Sequence, residues 1–234
     1  MRSVSWLVLI FLFICTGASA VNFGRAPDLS SGLPPNTRLT KLGDEIYLNG
    51  IPAEIIAIAV PASIKDTAVF FANRWASEGW KVSVERAGDL VLVMSVNDMY
   101  QRVASLSKTG DVSTEGSLSL TDIPLRLKNG GGLKIPVGEY LLKPTNTSVL
   151  NEVRIRDQTG ETIFTTVVNS YSVEQNAAFY QERMVEQGWK ETKHKIVELG
   201  KSVILSFVQA KKQSTFTIMR QNEQTLITVN WVNP

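Results

Sequence analysis

The chain has 234 residues, 44% hydrophobic and 20% charged, a globular composition that excludes long disordered tails, collagen and a multi-span membrane protein. Twenty-four Lys and Arg against 22 Asp and Glu leave a formal charge of +2, too balanced to mark a nucleic-acid or anionic-membrane binder. One Cys and one His withhold most of the side chains that metal sites and nucleophilic triads require.

Residues 1–20 carry the pattern of a signal peptide. Arg2 supplies the positive start, and Trp6 to Cys15 form an apolar run. That run is about half the ~20 residues needed to span a bilayer. Ala18-Ser19-Ala20 is a small-x-small site of the kind signal peptidase cuts, so cleavage is expected after Ala20. Ile14 precedes the lone Cys15, which argues against a lipid anchor; an uncleaved leader acting as an anchor is the alternative. Cleavage removes Arg2 and the only thiol, so the mature chain has a charge of +1 and must be held together by its own core. Residues 21–35 hold Gly, Pro, Ser and Asn without periodicity and read as a flexible N-terminal arm.

Next come two strand patterns, Glu45–Leu48 and Ala53–Val60, around Asn49-Gly50, a strong two-residue hairpin signal. A helix follows. Ser63 caps it, Asp66 favours the positive end of its dipole, and Gly79 supplies the left-handed residue that stops it. Ile64, Ala68, Phe71 and Trp75 form one apolar stripe at i, i+4, i+7 and i+11. Strand patterns resume at Val82–Arg86, Leu90–Val96, Tyr100–Leu106 and Ser117–Thr121, and Asn129-Gly130-Gly131-Gly132 reads as a linker.

The second half repeats the first. Residues 172–190, SVEQNAAFYQERMVEQGWK, align without a gap on residues 63–81, SIKDTAVFFANRWASEGWK, with seven of 19 positions identical. Roughly one match is expected by chance at this composition. Ser172 and Gln175 form a capping box, Gly188 stops the helix, and Val173, Ala177, Tyr180 and Met184 make the matching stripe. Strand patterns precede this helix at Val153–Arg156 and Thr162–Val168, around a turn ending in Thr159-Gly160. They follow it at Thr192–Val197, Ser202–Val208, Thr215–Arg220 and Thr225–Trp231. The expected fold is therefore α+β: two duplicated domains, each a curved antiparallel sheet packed on one helix. They occupy residues 36–128 and 133–234, with 129–132 between them.

Candidate chemistry is sparse. His194 stands between Lys193 and Lys195, without the oriented partner a catalytic His needs. Asp44/Glu45 and Glu182/Glu186 read as solvated surface charge. The glycine run lacks the lysine and following helix of a phosphate cradle. Asn146-Thr147-Ser148 is a glycosylation sequon, which matters only in a eukaryotic secretory path. No cofactor and no metal are expected. Trp80 and Trp189, after the helix-stopping glycines, are expected to anchor in the core. Phe70 and Phe179 lie about 130° from the centre of the apolar stripe, each with an Arg four residues on, Arg74 and Arg183, placed to lie over the ring. They pack beneath a loop or against the other copy, or one or both form part of a partner-binding surface with the arginines.

The string Ser-x(6)-Phe-Phe/Tyr-x(7)-Gly-Trp-Lys, set between a hairpin and a run of strands, resembles a motif of exported bacterial proteins built from tandem α+β repeats. The arrangement is loosely similar to the helix-grip lipoproteins of outer-membrane assembly, from which this chain departs in lacking the lipid-bearing Cys. The resemblance implies scaffolding or binding in the bacterial envelope and supplies no catalytic residue.

The reading that follows is a periplasmic or secreted, non-catalytic protein that binds another envelope protein, as an accessory subunit of a secretion, pilus or outer-membrane assembly. No nucleic acid and no membrane span after cleavage are expected. The alternative is a carrier of a small ligand or lipid, its pocket lined by Phe71 and Trp75 or by Tyr180 and Met184. A third reading, an enzyme, finds no thiol, no His cluster and no recognised motif in the mature chain.

Overall fold

The computed structural model describes residues 27–110, 112–122, 141–197 and 201–234. The expected leader 1–20, the start of the arm and the glycine linker 129–132 lie outside these residues.

The strands are β1 (Arg38–Lys41), β2 (Glu45–Leu48), β3 (Ile51–Val60), β4 (Lys81–Ala87), β5 (Leu90–Val96), β6 (Tyr100–Lys108) and β7 (Thr114–Asp122), then β8 (Ser148–Asp157), β9 (Gly160–Asn169), β10 (Lys190–Val197), β11 (Ser202–Gln209), β12 (Lys212–Gln221) and β13 (Gln224–Asn233). Helix α1 (Ile64–Ser77) follows β3 and helix α2 (Val173–Glu186) follows β9.

The chain forms two compact units. One runs to Leu42 and resumes from Ala53 to Lys128; the other takes Gly43–Pro52 and Asn129–Pro234. The first unit orders its strands β1-β3-β7-β6-β5-β4, and the second β2-β8-β9-β13-β12-β11-β10, every described pairing being antiparallel. In each, the strand before the helix lies inside the sheet, the helix crosses to the edge strand, and four strands meander back.

The α+β expectation is corrected by this architecture. Strands hold 57% and helices 15% of the described residues, so the protein is mainly β and is not two duplicated helix-on-sheet domains. The reason is geometric. A 14-residue helix is about 21 Å long and 10 Å wide, enough to cover two or three strands spaced ~4.8 Å apart. Helix α1 touches β4, β5 and β6, and α2 touches β10, β11 and β12, while both sheets extend well past them. The units also differ in make-up. The first edges its sheet with β1, whereas β2, close by in sequence, pairs with β8 in the second: Glu45 opposite Arg156, Leu48 opposite Val153.

Local chemistry explains the helix ends. The Ser63 hydroxyl accepts from the Asp66 amide at 3.1 Å, and Ser172 and Gln175 exchange the two bonds of a capping box. At the far end of α1, Trp80 N–H donates to the Trp75 carbonyl and Gly79 N–H to that of Ala76; Trp189, Met184, Gly188 and Val185 repeat the pattern. This is the Schellman motif, and it explains Gly-Trp: glycine takes φ of +83° and +80°, and the next residue is turned back toward the last helical turn.

Each stripe enters a core. Phe71 and Trp75 pack with Ile58, Val93, Leu106 and Leu118; Tyr180 and Met184 pack with Leu205, Phe207, Phe216 and Ile227. Residues 27–35 of the arm bring Leu29, only 5% exposed, into the first of these cores. Asp28 shapes that segment by accepting from both the amide and the hydroxyl of Ser30, an Asx turn. Among the described residues no helix is long and apolar enough to cross a membrane.

Candidate functional site

In β6, Tyr100, Arg102, Ala104 and Leu106 share one face, because alternate residues of a strand point the same way. Ala104 and Leu106 are fully buried under α1, so Arg102 is carried inward with them. Its side chain is 7% exposed and its guanidinium bonds the Glu78 carboxylate at 2.7 Å. It lies 3.6 Å over the Trp80 ring and 5.1 Å from that of Trp75. Arg74 reaches the same Glu78 at 3.0 Å, so one carboxylate at the end of α1 serves two cations. Burial lowers the Arg102 pKa from the usual arginine value, and the Glu78 hydrogen bond opposes that shift. Its Nε has no hydrogen-bond partner among the described groups.

Residues 27–33 roof this cluster. Gly32, at φ +61°, lays its bare Cα against Arg74, and a Cβ there would fall on the guanidinium. Between roof, helix and sheet is a cavity of about 110 Å3, lined on the protein side by Phe71, Arg74, Trp75, Glu78, Arg102 and Leu118. At 110 Å3 it is below the ~300 Å3 where drug-sized ligands begin.

The predicted site residues fall into two groups. Phe71, Trp75, Tyr180 and Met184 are all buried in the cores. The first two border the cavity, while Tyr180 stacks on Phe216 at 4.5 Å and Phe207 meets that same ring at 5.7 Å. Phe70 and Phe179 are half-buried, each edge-on to its neighbour in sequence, Phe71 at 5.7 Å and Tyr180 at 5.3 Å. The paired arginines part company. Arg183 does lie over Phe179, at 5.9 Å, and bonds Glu186 at 2.7 Å; Arg74 turns to Glu78 and Gly32 instead. Trp189 is buried and Trp80 half-buried. His194 sits on the exposed edge strand β10, 3.2 Å from the Gln181 amide and 3.7 Å from Glu191.

Sequence reading passed over Arg102 and Glu78. The available signal was an arginine on the apolar side of an alternating strand, where alanine and leucine predict a buried face.

No family model matches the chain, and neither does a curated protein or a solved structure.

Proposed function

We propose that this is an exported bacterial envelope protein, periplasmic or secreted, that binds another envelope protein without catalysis, as an accessory subunit of a secretion, pilus or outer-membrane assembly. The charge–apolar–small order of residues 1–20 supports export, and the Phe-Phe/Tyr…Gly-Trp-Lys resemblance supports the envelope setting.

The observation that carries the binding role is the Phe179–Arg183 pair. A half-buried ring with a guanidinium 5.9 Å above it, on the flank of a helix, is the chemistry enriched at protein interfaces. Val185 and Val69 are also exposed, Val185 on the opposite flank of its helix from Phe179 and Arg183. A photo-crosslinking residue at position 179, expressed in the native host, tests it. Capture of one defined envelope protein, lost in Arg183→Glu, is the expected result. Equal yields from position 179 and from a position on the exposed β10 strand would overturn it.

The carrier reading has one feature in its favour, the cavity beside Phe71 and Trp75. Its volume suits a small polar group and not a lipid.

A further inference from the structure

The first unit keeps a buried charge that its architecture does not demand. Strand registers make this plain. Arg102 lies opposite Ser95 on β5 and Leu120 on β7. The position in the same register of the second unit is Ser214, opposite Phe207 on β11 and Trp231 on β13. There the tryptophan after the helix, Trp189, is covered by Trp231 in an edge-on pair at 4.8 Å. In the first unit the equivalent Trp80 is covered by a guanidinium instead. An aromatic pair therefore suffices to close this corner, whereas a buried arginine carries a desolvation penalty.

We infer that the cavity under residues 27–33 is a binding site for a monocarboxylate, with Arg102 as its receptor. The guanidinium groups of Arg74 and Arg102 both border the cavity and share one carboxylate, Glu78. The Arg102 Nε is buried without a partner and belongs to a side chain that borders the cavity. Planar guanidinium edges match planar carboxylates better than they match tetrahedral or spherical anions. Trp75 and Phe71 give the rest of the wall an apolar surface for a short carbon chain. Asp28 also lines the cavity, and its carboxylate disfavours a second negative charge on the ligand. The carboxylate can belong to a free short-chain acid or to the C-terminus of a peptide, and the chemistry at Arg102 is the same. The site is separate from the Phe179–Arg183 surface, so neither proposal depends on the other.

Titration of the intact chain, followed through the 1H–15N resonance of the Arg102 Nε–H, tests this directly. Propionate, and separately N-acetylglycylglycine with a free C-terminus, are expected to shift that resonance saturably, at about 1–50 mM for ligands this small. Propionamide, the peptide amide and chloride are expected to leave it in place. The stronger of the two acids identifies the source of the carboxylate. Arg102→Gln, titrated through the backbone amide resonances of residues 27–33, should weaken binding by at least about tenfold, since a hydrogen bond to a charged group is lost. Arg74→Gln, on an exposed side chain, serves if the first variant does not fold. An Arg102 resonance that no acid shifts saturably, or that propionamide shifts equally, would overturn the inference.

Discussion

Thr114, at the start of β7, donates its hydroxyl to the carbonyl of Ala62 at 2.9 Å, across 52 residues of chain. Thr225, at the start of β13, does the same to Tyr171 at 2.5 Å. Each accepting residue directly precedes a helix N-cap, so the last strand of the meander pins the turn where the helix begins. Both threonines are fully buried, and loss of the Thr114 hydroxyl takes a donor from the Ala62 carbonyl. The environments differ, because Arg220 and Asn176 also donate to the Tyr171 carbonyl, at 3.2 and 3.3 Å. Thr114→Val is therefore expected to cost about 1–3 kcal/mol in urea unfolding, and Thr225→Val less. Serine at either position should recover most of the loss.

Tyr180 offers the opposite case. Its hydroxyl is buried and has no hydrogen-bond partner among the described groups, while its ring fills the core. Tyr180→Phe removes a desolvated polar atom and keeps the packing, so stability should be unchanged or rise by up to about 1–2 kcal/mol. Burial raises the phenol pKa above that of a free tyrosine. Stabilisation linked to this shift is complete below the unfolded value of about 10 and is lost as pH climbs from there toward the folded value. Unfolding curves recorded from pH 8 to 11 should fall less steeply for the variant than for the native chain.

Glycines separate backbone strain from crowding. A Cβ at Gly79 meets nothing within 4 Å, so Gly79→Ala carries only the penalty of φ +83°, about 1 kcal/mol. Gly32→Ala adds a clash with the Arg74 guanidinium to a φ of +61°. That guanidinium is the far end of a flexible, half-exposed side chain and can swing aside, so the loss of Tm beyond that of Gly79→Ala should be small.

Phe70→Ala and Phe179→Ala decide between packing and display. Both rings contact the cores from their margins, so each truncation should cost about 1–2 kcal/mol, below the ~3–5 typical of a fully buried Phe. Calorimetric Tm shifts as large as that of Phe71→Ala would show that these rings serve the core alone.

Several features are legible in sequence because they depend on residues within a few positions of one another. Ser63 and Ser172 cap, Gly79 and Gly188 take left-handed backbone, and the stripes from Ile64 to Trp75 and from Val173 to Met184 turn inward with the helical period. Asn49-Gly50 likewise adopts φ of +53° and +75°, as a two-residue hairpin turn requires.

Other features are settled only between distant segments. Arg38–Lys41 is exposed throughout and shows no alternation, yet it is a strand because Leu39 and Lys41 find Ile58 and Ile56 on β3. The Glu45–Leu48 strand was recognisable, but its place beside β8 was not, since backbone donors and acceptors on an edge carry no label for their partner. Two clear helices mask a mainly β architecture, because periodicity marks an element without measuring how many strands lie beyond it. Arg102 is an ordinary strand arginine until Trp80 and Glu78, 22 and 24 residues away in sequence, enclose it. Local order follows from torsion angles and neighbouring hydrogen bonds, which the chain encodes directly. Strand partnership and the burial of a charge are free-energy balances among groups that only the folded chain brings together.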